Sequence, residues 1–288
     1  MLKPNVTAFF DEQTCTTTYV VSDPSSLACA VIDSVLDYDA ASGRTSQASA
    51  DDVISYIASN GLKVEWILET HVHADHLSAA PLLKERVGGK LGISYKIIDV
   101  QKIFGTLFNA GSEFEHNGSQ FDHLFGDNES FSIGNLEARA LQTPGHTPAC
   151  MSYVIGDAAF VGDTLFMPDY GTARTDFPGG DSKTLYHSIK RLFELPPTTR
   201  LFMCHDYKAP GRDEFRWETT VAEERASNIH VHDGISEEEF VKLRDERDKT
   251  LGMPKLILPS VQVNMRAGNL PPPDDSGKRF LKIPIDEI

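Results

Sequence analysis

Apolar residues recur along the first part of the chain in short runs that alternate between strand-like and helix-like spacing. Thr16 to Val21 and Cys29 to Ile32 are β-branched or apolar runs, parted by the turn formers Ser22, Asp23, Pro24 and Ser25. They read as two strands. Ser49, with Asp52 three residues on, reads as a variant capping box opening a helix that runs to about Asn60 and ends at Gly61. Val64 to Glu69 reads as a further strand. Ser78 to Val87 has helical character and closes at Gly88 and Gly89. From Ile97 to Asn128 neither period dominates. Short runs then return: Phe131 to Ile133, Leu136 to Gln142, Met151 to Ile155 and Ala158 to Val161. Their close spacing predicts an antiparallel sheet in this half. Asp181 to Leu195 predicts an amphipathic helix, and Arg200 to Cys204 another strand. Glu237 to Lys249 predicts a solvated helix before a Pro-rich tail. Sheets with helices between them fit an α/β sandwich, two sheets flanked by helices. The tail from residue 230 reads as an extension packed on the main domain.

At 288 residues, with 40% apolar and 24% charged residues, the chain has room for a large core of ordinary composition. A net charge of −15 disfavours a surface that tracks phosphates, which argues against nucleic acid as a partner. Cys15, Cys29, Cys150 and Cys204 have no close spacing, so neither a zinc finger nor a disulfide framework is implied. The first residues resemble neither a signal peptide nor a transit peptide, and no segment is long enough to cross a bilayer. A cytoplasmic protein with no membrane association is expected.

His71-x-His73-x-Asp75-His76 changes this picture most, because it sets four metal-ligand side chains within six residues at the exit of a strand. Alternation would put His71, His73 and Asp75 on one side of an extended segment. Three later segments repeat the pattern of a strand followed by a potential ligand. Pro144 and Gly145 turn the chain before His146, Gly162 allows close backbone approach beside Asp163, and His205 follows the run Leu201 to Cys204.

These residues, in this order, resemble the metallo-β-lactamase superfamily. The resemblance implies an αβ/βα sandwich, two facing mixed sheets flanked by helices, with metal at one edge. It makes residues 1–229 the catalytic domain and 230–288 a C-terminal extension packed on it. In binuclear members the equivalents of His71, His73 and His146 hold one metal, Asp75, His76 and His205 the second, and Asp163 bridges. Arg174, Thr175, Asp176 and Phe177, then His205, Asp206 and Tyr207, and the tail from Pro259 through Asn264 and Arg266 to Gly268, look most like the persulfide dioxygenase branch, which is related to glyoxalase II.

That branch implies one non-haem Fe(II) per chain, held by His71, His146 and Asp163. Two imidazoles and one carboxylate with open positions is the arrangement of Fe(II) oxygenases. His73, Asp75, His76 and His205 would then serve catalysis by orienting ligands and water. The implied reaction takes glutathione persulfide and O2 to sulfite and glutathione. A rhodanese-type sulfurtransferase and a second copy of the chain are compatible partners. The alternative is a glyoxalase II-like hydrolase of glutathione thioesters with a binuclear zinc site. Glutathione is anionic, so an acidic protein must offer local cations. Arg174 and Arg266 are the candidates for its carboxylates, with the Tyr207 phenol beside them.

Overall fold

The computed structural model describes residues 3–287. Strands β1 (Asn5–Asp11), β2 (Thr16–Ser22) and β3 (Ala28–Ile32) form an antiparallel meander. β4 (Val35–Asp39) and β5 (Arg44–Ser46) make a small hairpin before helix α1 (Ala48–Ser59). β6 (Lys63–Leu68) returns parallel to β3, and the short β7 (Leu77–Ser78) pairs with β4. Helix α2 (Ala80–Val87), β8 (Lys90–Ser94), α3 (Ile97–Leu107) and β9 (His123–Phe125) complete a mixed sheet of order β1-β2-β3-β6-β8-β9.

The second sheet begins as the expected antiparallel meander of β10 (Glu129–Ile133), β11 (Leu136–Gln142), β12 (Met151–Ile155) and β13 (Ala158–Phe160). Helix α4 (Ser182–Leu192) then crosses over to β14 (Arg200–Phe202), which runs parallel to β13, and β15 (Glu218–Thr220) forms the edge. Helices α5 (Val221–Ser227), α6 (Glu237–Asp248) and α7 (Ile257–Asn264) follow.

Three apolar cores set the layers. Ala30, Ile32 and Leu68 from the first sheet meet Ala140, Met151, Tyr153 and Phe160 from the second. Neighbours on the same strands point the other way, as pleating requires. Val20, Val31 and Ile67 face Val53 of α1, Leu83 of α2 and Val100 of α3, while Ala159 and Leu201 face Leu185, Ile189 and Phe240 of α4 and α6. The result is the expected helix–sheet–sheet–helix sandwich. The last helices join these layers: α6 packs on α4, and α7 packs on β7 and α3.

Some local expectations are corrected. Ser49 is no N-cap: Gln47 holds that position, and Ser49 lies in the first turn with its hydroxyl on Asp37 Oδ1 at 2.6 Å. Asp37 captures Ser49 through tertiary contact, and a local capping pattern cannot foresee that. A full capping box does occur at Ser236 and Glu239, opening α6. Helix α3 lies in the stretch whose period was mixed, and α7 lies within the tail despite Pro259. The segment His71 to His76 is a bent loop rather than an extended one.

Candidate metal centre

Every candidate ligand sits where a strand ends. His71 to His76 follow β6, His146 follows β11, Asp163 follows β13 and His205 follows β14. Two glycines let these loops close. Gly145 has φ +138, and a Cβ there would lie 2.4 Å from the Leu185 backbone. Gly162 has φ +53, and its Cβ would lie 2.6 Å from Thr70 Oγ1. Only glycine allows the Asp163 loop to pack this closely on the loop carrying His71.

The bent loop sorts the ligands into two groups. His71, His146 and Asp163 form one, with Nε2 of the two imidazoles 3.8 and 3.5 Å from Asp163 Oδ2. His73, Asp75, His76 and His205 form the other. Asp163 reaches between them, since its Oδ1 lies 3.3 Å from His205 Nε2. His73 therefore does not join His71 and His146, as the binuclear pattern would have it.

Hydrogen bonds at the far ring atoms fix the imidazoles. Thr70 Oγ1 donates to Asp33 Oδ2 at 2.8 Å, so it accepts from His71 Nδ1 at 3.0 Å. His146 Nδ1 donates to the Arg174 carbonyl at 2.8 Å, and His205 Nδ1 to the Cys15 carbonyl at 3.2 Å. Each ring thus turns an Nε2 lone pair toward carboxylate oxygen, which is repulsive unless a cation lies between. Nε2 of His71, His76 and His205, Nδ1 of His73 and Oδ1 of Asp163 are buried without a hydrogen-bond partner. Five such atoms converging in one place would be costly in a site meant to stay metal-free. The residues fit a bound metal ion.

Electrostatics follow the same geometry. Burial drives the pKa of His71 well below the usual histidine value, and the neighbouring His73 and His146 add to it. A neutral imidazole is the form that binds metal. At His73 burial opposes a charged ring, but Asp33 at 3.0 Å and Glu69 at 3.3 Å outweigh it and raise the pKa. Asp75 is lowered despite its burial, because His205 and His76 stand beside it.

Five positioning residues carried no recognised signal. Asp33 follows the apolar strand β3, the same strand-then-ligand pattern, and could have been found that way. It has φ +51, an unusual conformation for a non-glycine residue, and anchors both Thr70 and His73. Glu69 accepts from Ser78, and Thr16 contacts His76 and His205. Asn264 of α7 donates to the carbonyls of His73 and His76 and accepts from Ser78 N.

A cavity of about 710 Å³ opens over Asp163, His146 and Asp75, within the usual range for small-molecule sites. Tyr207 lines it, with its ring stacked on His205 at 5.7 Å, and Phe166 and Tyr170 add to the aromatic wall. Arg174 lines it as well, but its donors are spent on Asp176 and the Gly252 carbonyl. Arg266 is not brought to this site. Its guanidinium lies 4.3 Å from the Phe114 ring centre, donates to the Ala110 carbonyl and borders a separate cleft. The inward direction expected for Arg266 is met by an aromatic ring rather than by the metal site.

Comparison with known proteins agrees with this arrangement. The sequence pattern of the metallo-beta-lactamase superfamily matches residues 14–205. A "probable metallo-hydrolase" of Burkholderia pseudomallei is 57% identical over 98% of this chain and 99% of its own. The mitochondrial persulfide dioxygenase ETHE1 of Mus musculus is 32% identical over 92% of this chain and 89% of its own. The crystal structure of ETHE1 from Myxococcus xanthus superposes with a TM-score of 0.73 and 31% identity, covering 92% of this chain and 100% of that one. Among the described residues no helix is long and apolar enough to cross a membrane.

Proposed function

The chain belongs to the metallo-beta-lactamase superfamily, and from that membership we propose that it is a glutathione persulfide dioxygenase with one non-haem Fe(II). The observation that carries this reading is the sorting of His71, His146 and Asp163 into one group, apart from His73. Two imidazoles and a carboxylate on one side of an ion leave positions for two further ligands, which a dioxygenase needs. The likeness to ETHE1 proteins favours the same branch. The C-terminal extension, residues 230–288, belongs functionally to the catalytic domain, because Asn264 holds the metal loop.

The overall reaction is GSSH + O2 + H2O → GSH + H2SO3. The outer sulfur is oxidised, and O2 is reduced. Iron, when bound, would activate O2 and bind the outer persulfide sulfur. The chain supplies geometry and shelter. Thr70 and the Arg174 carbonyl hold the two imidazoles in the tautomer that presents Nε2. Phe166, Tyr170 and Tyr207 limit water along one wall. His205 and Asp75, 3.2 Å apart, can hold and pass a proton near the reacting sulfur.

A second reading is a binuclear zinc hydrolase of glutathione thioesters, favoured by the complete second group His73, Asp75, His76 and His205 and by hydrolase-like relatives. Oxygen-electrode traces with fresh glutathione persulfide separate the two. Iron-dependent O2 uptake supports the dioxygenase, whereas no uptake above the uncatalysed rate, with thioester hydrolysis at two zincs per chain, would establish the hydrolase.

A further inference from the structure

Four cations line the cavity over the metal centre: Arg174, Arg244, Arg247 and Lys255. Two are already engaged. Arg174 forms a two-pronged pair with Asp176, and the buried Arg244 pairs with Asp248 and donates to the Thr172 carbonyl. Among the described residues, no hydrogen bond or ion pair engages the Arg247 or Lys255 side chain. Yet both face a cavity whose floor holds Asp75 and Asp163. In a protein of net charge −15, with many acids available as partners, two unpaired cations at one cavity mouth call for an anion.

The segment bearing them is fixed to the metal loop. Asp248, next to Arg247, accepts from Thr175 N and Oγ1 at 2.9 and 3.0 Å. Arg174 donates to Gly252 at 2.7 Å, and its own carbonyl holds His146. Both cations are therefore carried on backbone in register with a metal ligand, which is what orienting a substrate requires.

We propose that Arg247 and Lys255 hold the two carboxylates of the glutathione moiety, and that Arg174 is a positioning residue joining them to His146. This assignment rests on the glutathione reading above, but not on the dioxygenase chemistry. A glutathione thioester would use the same anchors.

The test is calorimetric binding of S-methylglutathione, an unreactive probe, to the metal-loaded protein under anaerobic conditions. Arg247→Gln and Lys255→Gln should each weaken binding about 10-fold, and the double variant about 100-fold. Lys249→Gln, an exposed cation outside the cavity on the same segment, should stay within about twofold and so controls for bulk charge. The dimethyl ester of the probe should bind wild type as weakly as the acid binds the double variant. Unchanged affinity in both single variants, or an ester that binds as tightly as the acid, overturns the assignment. No binding of the probe by wild type overturns the assignment and the glutathione reading together. Intact, Arg247-dependent binding without O2 uptake leaves the anchors standing and sinks only the dioxygenase.

Discussion

Asn264→Ala removes three buried hydrogen bonds at once and tests whether the C-terminal extension holds the metal loop. The Asn264 side chain donates to the carbonyls of His73 and His76 at 2.9 and 2.7 Å, and accepts from Ser78 N at 2.8 Å. The residue is 5% exposed, so truncation leaves three backbone groups short of partners. Each orphaned group costs about 1–3 kcal/mol, and a water entering the vacated polar space recovers part of that. A net loss of about 3 kcal/mol is expected, or roughly 6 to 9 °C in Tm for a chain of this size. Asn264→Asp sharpens the argument, because it keeps the acceptor for Ser78 but points a carboxylate at two carbonyl oxygens. It should be less stable than the alanine variant at pH 7 and recover as acid protonates it. Denaturant unfolding of the metal-free protein measures this apart from metal affinity. If alanine costs under 0.5 kcal/mol, or aspartate is the milder change at pH 7, Asn264 does not secure the loop.

His71→Ala, His146→Ala and Asp163→Ala should each remove most bound iron, whereas His73→Ala and His205→Ala should retain most of it and lose rate. Elemental analysis reads this, and equal loss in all five variants contradicts a single-metal site. Thr70→Val should lower metal affinity about 10- to 100-fold in chelator competition, since both His71 and Asp33 lose a partner; unchanged affinity would remove Thr70 from the account. Burial pushes the Glu224 carboxyl up to about 8, so between about 4.5 and 8 the folded chain binds a proton that the unfolded chain releases. Stability should fall as pH rises through that window, by roughly 4 kcal/mol in all, and Glu224→Gln should flatten the profile. A wild-type curve that rises there would refute the assignment.

The layered fold was legible because β2, β3, β11 and β12 alternate apolar residues over enough length to declare their period. The strands missed are short or at edges, such as β5, β9 and β15, where few residues contribute and tertiary pairing decides. The metal ligands were legible because local strand exits place them and their residue types are rare together. Their sorting was not. Alternation grouped His73 with His71, whereas a bend and the buried acids Asp33 and Glu69 turn it away. Arg266 shows the other limit. An isolated cation in an apolar run does turn inward, but sequence cannot tell a cation–π contact with Phe114 from a substrate pocket. Arg247 and Lys255 were hidden for the opposite reason: in a charged, solvated-looking helix and its following loop, nothing local marks the two cations that face the cavity.

The central claim is tested most directly by measuring O2 consumed and sulfite formed from glutathione persulfide in one sample of known iron content. One sulfite per O2, at a rate proportional to iron near one per chain and absent from zinc-loaded protein, is the predicted result. No O2 consumption by fully iron-loaded protein, or equal activity with zinc, would contradict it.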